Sequence, residues 1–265
     1  MSAPPDLLQA RVAFRDRSLA DVFDLSLRFI VVHGRLYARV ALGSIVPAAA
    51  IALAAGAVLG WRAAWWIALP LAFAAEIPFT VLASRLVFED DVRPRGVLLD
   101  ALRAGPRVVL VRAIAGLLVA LGLVFFVVPG LWLAAVFLFL GEAILLERAN
   151  TMQAFGRAQR VAASATSDVV LGVVVLALVP IASVLLADIA GRATIEQLFE
   201  FRSPPPLWTA GGSALATLGL FAQVPYLATA RFFLYLNVRT RAEGWDIQTR
   251  FAAIAARARA DEQPL

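Results

Sequence analysis

Residues 69–89 read LPLAFAAEIPFTVLASRLVFE. The run follows a cluster of tryptophans (Trp61, Trp65 and Trp66), is apolar at most positions, carries one carboxylate near its middle (Glu76), and ends in Arg85 and an acidic patch. About 20 mostly apolar residues are what an α-helix needs to cross a bilayer core. The pattern recurs: AQVPYLATAR at 222–231 echoes AEIPFTVLASR at 75–85, with Gln223 standing for Glu76, Pro225 for Pro78 and Tyr226 for Phe79. The rest of the chain reads as helical hairpins built around such spans. The expected fold is all-α, a polytopic membrane protein with six transmembrane helices arranged as three hairpins, plus interfacial amphipathic helices.

Composition agrees. The 265 residues are 61% hydrophobic and 16% charged, with a mean hydropathy of +0.81. A typical soluble domain is about 45–50% apolar and about 25% charged. There is no cysteine, which excludes disulfides, a thiol nucleophile and thiolate metal sites. All 24 basic residues are arginine, and the net charge is +5.

Read in order, residues 1–17 are polar and expected to be flexible, and 18–247 form one six-span membrane domain. Ser18 is a candidate N-cap with Asp21 three residues on. Leu19, Val22, Phe23, Leu27 and Ile30 then share one helical face, which predicts an amphipathic helix lying in the interface. The spans are expected at 36–59, 64–88, 107–127, 131–147, 169–190 and 208–236. The first is an uncleaved anchor, because Arg11, Arg15, Arg17, Arg28 and Arg35 lie among acids rather than before a short apolar core. Pro47 is a candidate kink, Gly60–Ala63 and Pro129-Gly130 are the predicted turns, and short surface helices are expected at 97–104 and 194–201. No charge lies between Arg112 and Glu142. That length also suits a re-entrant hairpin, but full crossing is preferred because Arg and Glu can snorkel at helix ends. Residues 248–265 read as an amphipathic tail.

The arginines set the orientation. All but Arg62, Arg192 and Arg202 fall on one side of this arrangement. The positive-inside rule makes that side cytoplasmic, so both termini are expected inside. Trp61, Trp65, Trp66, Trp132 and Trp208 fall at the opposite boundary. The basic charge is thereby directed at anionic headgroups of the bilayer, and no nucleic acid need be invoked.

Glu76 is the sharpest candidate for chemistry, since a carboxylate near the bilayer midplane faces the bundle interior or water. With Gln223, Pro78 and Pro225 it defines a candidate intramembrane polar centre, in which the prolines free backbone carbonyls. The competing reading is a structural Glu76, paired with Gln223 or an arginine. For Glu142 and Arg231 the expectation is snorkelling or a mutual salt bridge, and for Asp188 simple solvation. His33 is the only histidine, which makes no zinc site. No G-x-S-x-G, P-loop or H-E-x-x-H is present, so no enzymatic activity, metal or cofactor is expected.

The tail YLNVRTRAEGWDIQTRF at 235–251 resembles a pattern, Y-x-D-x-R-x-R-x-E-G-x-D, found where the last span ends in families of small bacterial membrane proteins. These include the membrane domain associated with glycerophosphodiester phosphodiesterases and uncharacterised six-span relatives. Tyr235, Arg239, Arg241, Glu243, Gly244 and Asp246 match, while Asn237 stands where the family has Asp. The resemblance implies an integral module of the bacterial inner membrane, without the phosphodiesterase itself, a separate soluble barrel needing a His pair and several acidic metal ligands, for which this chain has neither the length nor the histidines. Physically, Arg239, Arg241, Glu243, Trp245 and Asp246 read as an interfacial latch.

Three functions are therefore weighed: a non-catalytic scaffold, assembly or accessory module, with other membrane proteins as partners; a transporter or channel-like protein using the Glu76/Gln223 centre; and a lipid-interacting protein.

Overall fold

A computed structural model describes residues 17–89, 91–147 and 151–243. Among these residues every regular element is an α-helix. They run α1 (Leu19–Val32), α2 (Gly34–Leu59), α3 (Trp61–Phe88), α4 (Pro94–Phe125), α5 (Val127–Phe137), α6 (Leu140–Glu147), α7 (Thr151–Ser164), α8 (Thr166–Gln197), α9 (Leu207–Ala210), α10 (Ala214–Ala222) and α11 (Val224–Glu243). Five segments are long and apolar enough to cross a membrane: α2, α3, α4, the stretch Val127–Leu145 through α5 and α6, and α8. Large apolar side chains are exposed along most of them, including Leu42, Ile51, Phe73, Leu117, Leu178 and Leu186. In water such a surface would be a severe liability; against acyl chains it is the expected outer face.

The sixth predicted span, 208–236, is not one helix. α9 stops at Gly211 (φ +72), Ser213 restarts the chain as the N-cap of α10, and the helix breaks again at Gln223 before α11. Two predicted surface helices disappear into longer ones. Residues 97–104 belong to the 32-residue α4, because Pro106 falls inside a helix that continues past it. Residues 194–197 belong to α8, which ends at Gln197.

The first hairpin turns at Gly60, whose φ of +86 is a conformation that a side chain would resist. The second turns at Phe126, in extended conformation, and not at Pro129-Gly130. Pro129 instead sits in the first turn of α5, where its missing N–H would have had no partner anyway. α2 continues through Pro47.

α1 is capped as expected, with Ser18 Oγ accepting from the Asp21 amide at 3.2 Å. Its buried face, however, is Val22, Ser26 and Phe29, and Leu27 is exposed. The face is rotated because α1 packs against α11, where the Phe29 ring meets Phe233 edge-on at 5.0 Å. The helix therefore seats on protein with part of its surface. The core centres on α3 and α11, which carry Phe79, Leu82, Phe232, Leu234 and Tyr235 as near-fully buried side chains.

Candidate functional site

Four charged side chains meet in this core. Glu76 comes from α3, Arg112 from α4, Glu142 from α6 and Arg231 from α11. One oxygen of Glu76, Oε2, accepts from Arg231 Nη2 at 2.5 Å and from Arg112 Nη1 at 3.2 Å. One oxygen of Glu142, Oε1, accepts from Arg231 Nε at 2.6 Å and from Arg112 Nη2 at 3.3 Å. Charges thus alternate around a ring, and the ring's formal charge is zero. The side chains are 4%, 14%, 0% and 13% exposed for Glu76, Arg112, Glu142 and Arg231.

Local sequence explains how four helices bring these groups together. Gly141 precedes Glu142, and a Cβ there would lie 2.4 Å from Arg112 Nε. The missing side chain lets the Arg112 guanidinium lie against α6. Arg231 lies on a helix started by Pro225, in the first turn of α11, where proline is compatible with helix geometry. Tyr37 from α2 braces that helix: its hydroxyl lies 2.8 Å from Thr229 Oγ1. Thr229 donates its own proton to the Pro225 carbonyl at 2.7 Å, so Tyr37 is the donor between the two hydroxyls.

Electrostatically the arrangement suits a low-dielectric interior. An isolated carboxylate or guanidinium there costs several kcal/mol or more, and only paired, hydrogen-bonded charges offset it. Each carboxylate here faces two guanidiniums, and each guanidinium faces two carboxylates. The bonds to Arg231 are shorter than those to Arg112, so Arg231 is the tighter member. One acceptor is left over: Glu142 Oε2 is buried with no hydrogen-bond partner.

Of the two partners expected for a structural Glu76, an arginine is the one found, and the Gln223 pairing does not form. The Glu76 carboxylate bonds to the two arginines, while Gln223 Nε2 donates to the Leu220 carbonyl at 3.0 Å and its Oε1 is buried without a partner. The echoed motifs adopt different structures. Pro78 lies inside the continuous α3, whereas Gln223 lies in the break between helices and Pro225 is in the first turn of the next one. The ring includes the Glu142–Arg231 salt bridge. Arg112, expected to snorkel to the cytoplasmic rim, is instead buried in the ring. The signal that could have found it is the one already used for Glu76: Arg112 also lies inside a predicted span, 107–127, where a lone charge calls for a partner.

At the other end of α8, Asp188 is 1% exposed rather than solvated. Its Oδ1 accepts from Ser213 Oγ at 2.5 Å, and its Oδ2 accepts from the Leu207 amide at 3.2 Å. One carboxylate thereby anchors the starts of both α9 and α10, because Ser213 Oγ in turn caps the Ala216 amide.

In the predicted latch, Arg241 Nη1 lies 2.5 Å from Asp168 Oδ2, in the first turn of α8, and Nη2 donates to the Arg17 carbonyl at 2.8 Å. The Arg239 guanidinium lies 5.9 Å from the Tyr235 ring centroid. Glu243 is the last residue of α11; its side chain, and Trp245 and Asp246, lie outside the described residues. Asn237, the one departure from the pattern, joins the latch residues here. It accepts from the Arg17 amide and donates to the Arg17 carbonyl, both at 3.1 Å. An Asp, as in the family pattern, could make only the first of these bonds.

Fold and site together define a helical protein with membrane-length apolar segments around a closed, neutral ring of buried charges. Comparison with family models, with curated proteins and with solved structures finds no match for the chain.

Proposed function

We propose that this chain is an integral membrane module without catalytic activity, a scaffold, assembly or accessory protein of a bacterial inner membrane. In this reading α10 and α11 together form the sixth crossing, and both termini lie on the arginine-rich, cytoplasmic side. Other membrane proteins and the anionic headgroups of the bilayer are its partners. The observation that carries the reading is the closed ring. The carboxylate best placed to bind a proton or cation, Glu76, is buried and is held by two guanidiniums. A group engaged in this way acts as a fastening between helices. A transport site needs the same charge free to exchange partners.

The transporter reading keeps one observation in its favour. Two segments that build the core are broken, at Leu138–Phe139 and at Gln223, and each lies near an unpartnered acceptor (Glu142 Oε2 and Gln223 Oε1). Broken helices with free polar groups mark ion sites in many transporters. Proton and solute flux in proteoliposomes, measured for the parent protein and for Glu76→Gln, separates the two. We expect no flux above empty vesicles from either. Flux from the parent that is abolished by Glu76→Gln would replace the scaffold reading with the transport one.

A further inference from the structure

The end of the molecule that carries Asp188 also holds a cleft of about 530 Å³, lined by Arg192, Glu196, Arg202, Ser203 and the prolines 204 to 206. It is formed where the chain leaves α8 and turns back at Glu200, which adopts a left-handed conformation with φ +54. Its wall of three prolines is stiff, so little ordering is needed when a ligand enters.

The polar groups in the cleft are only partly satisfied by one another. Ser203 donates to one oxygen of Glu196. Arg192 Nε lies 3.7 Å from the buried Asp188 carboxylate and makes no hydrogen bond. Arg202 is exposed and has no hydrogen-bond or ion-pair partner among the described residues. The free capacity is therefore guanidinium donors on one side and a carboxylate on the other. The carboxylate lies in the closing turns of α8, where the helix dipole also favours a cation. With Asp188 beneath, the four charges cancel, so a purely anionic ligand gains little from the whole site. A ligand carrying both an oxyanion and a cation matches both halves.

The flanking residues suggest where such a ligand comes from. Leu198, Phe199, Phe201 and Trp208 are all more than half exposed, and aromatic and apolar side chains in a polar turn are typical of the headgroup boundary. We propose that this cleft binds the zwitterionic headgroup of a phospholipid, one with a phosphate and a primary ammonium. Arg202, with Arg192, takes the phosphate oxygens, and Glu196 takes the ammonium. The proposal rests on the helices lying in a membrane but not on the scaffold role.

The test uses the full chain reconstituted with equal amounts of phosphatidylethanolamine, phosphatidylcholine and phosphatidylglycerol of matched acyl chains. Native mass spectrometry then reads which lipid stays bound on delipidation. We expect phosphatidylethanolamine to be retained about tenfold over phosphatidylcholine, whose quaternary ammonium cannot donate a hydrogen bond, a difference of the size one charge-assisted contact supplies. At two exposed positions, Glu196→Gln should abolish that preference and Arg202→Gln should lower retention of both zwitterionic lipids, with the helical circular dichroism unchanged in each variant. Equal retention of the three lipids overturns the proposal, and so does strongest retention of phosphatidylglycerol. Soluble phosphoethanolamine displacing the lipid at equal concentration overturns the lipid assignment. Alkaline carbonate extraction keeps the two levels apart: a protein stripped from membranes sinks the membrane reading itself, whereas absent lipid preference in a carbonate-resistant protein sinks only the headgroup site.

Discussion

Arg231 and Arg241 lie ten residues apart on α11 and do chemically similar things in different surroundings. Each guanidinium lies 2.5 Å from a carboxylate oxygen of another helix, Glu76 on α3 and Asp168 on α8. The Arg231 contact is almost wholly withdrawn from solvent, with side chains 13% and 4% exposed, whereas the Arg241 contact is open at 30% and 38%. Exposed pairs contribute about 0–1 kcal/mol, because water and salt compete for both partners. Removing one partner of a buried pair costs about 3–5 kcal/mol, because the other charge is stranded. The same contact distance at two levels of one helix thus yields a fastening at one and a weak clasp at the other.

The sharpest way to break that contrast is Arg231→Met. It leaves two carboxylates facing only Arg112 and should destabilise the protein by about 3–5 kcal/mol in reversible unfolding from mixed micelles. Adding Glu142→Leu to it restores a neutral site and should recover at least half of the loss; no recovery would mean that charge balance is not what the ring supplies. Gly141→Ala is the next step down. It pushes the Arg112 guanidinium off α6 while leaving Arg231 alone, at an expected cost of about 1–3 kcal/mol. Asn237→Asp removes the donor to the Arg17 carbonyl and should cost about 1 kcal/mol, seen as faster proteolysis at the N-terminal segment. Arg241→Gln should have the smallest effect, below about 1 kcal/mol, with the parent-to-variant difference shrinking further as salt is raised. A salt-insensitive loss of several kcal/mol at Arg241 would erase the distinction between the two levels.

Much of the helical plan is legible in the chain. Apolar runs of bilayer length, the Ser18 cap and the Gly60 turn each follow from local rules, and α2 and α3 begin and end near their expected bounds. What local rules missed depends on neighbours. Nothing in α1's own periodicity says that α11 selects Val22, Ser26 and Phe29 as the buried face. Nothing near Ala214 says that Ser213 and Asp188, from another helix, fix the start of α10. The site was half legible: Glu76 stood out because it interrupts an apolar span, but its partners lie 36 and 155 residues away. Repeat similarity pointed to Gln223, a polar but uncharged residue, where neutralising a carboxylate called for an arginine.

Those separations also bear on how the protein is made. Synthesis runs from the N-terminus, at about 5–20 residues per second. Glu76 therefore leaves the ribosome roughly 10–30 s before Arg231, given the 155 residues between them. Until then Arg112 is the one counter-ion of the finished ring available to it, through the longer and weaker of its two bonds. The last helix is the keystone of this arch: a nascent chain that stalls between residues 142 and 231 carries two acids of the ring against one arginine, an imbalance that the completed protein does not have.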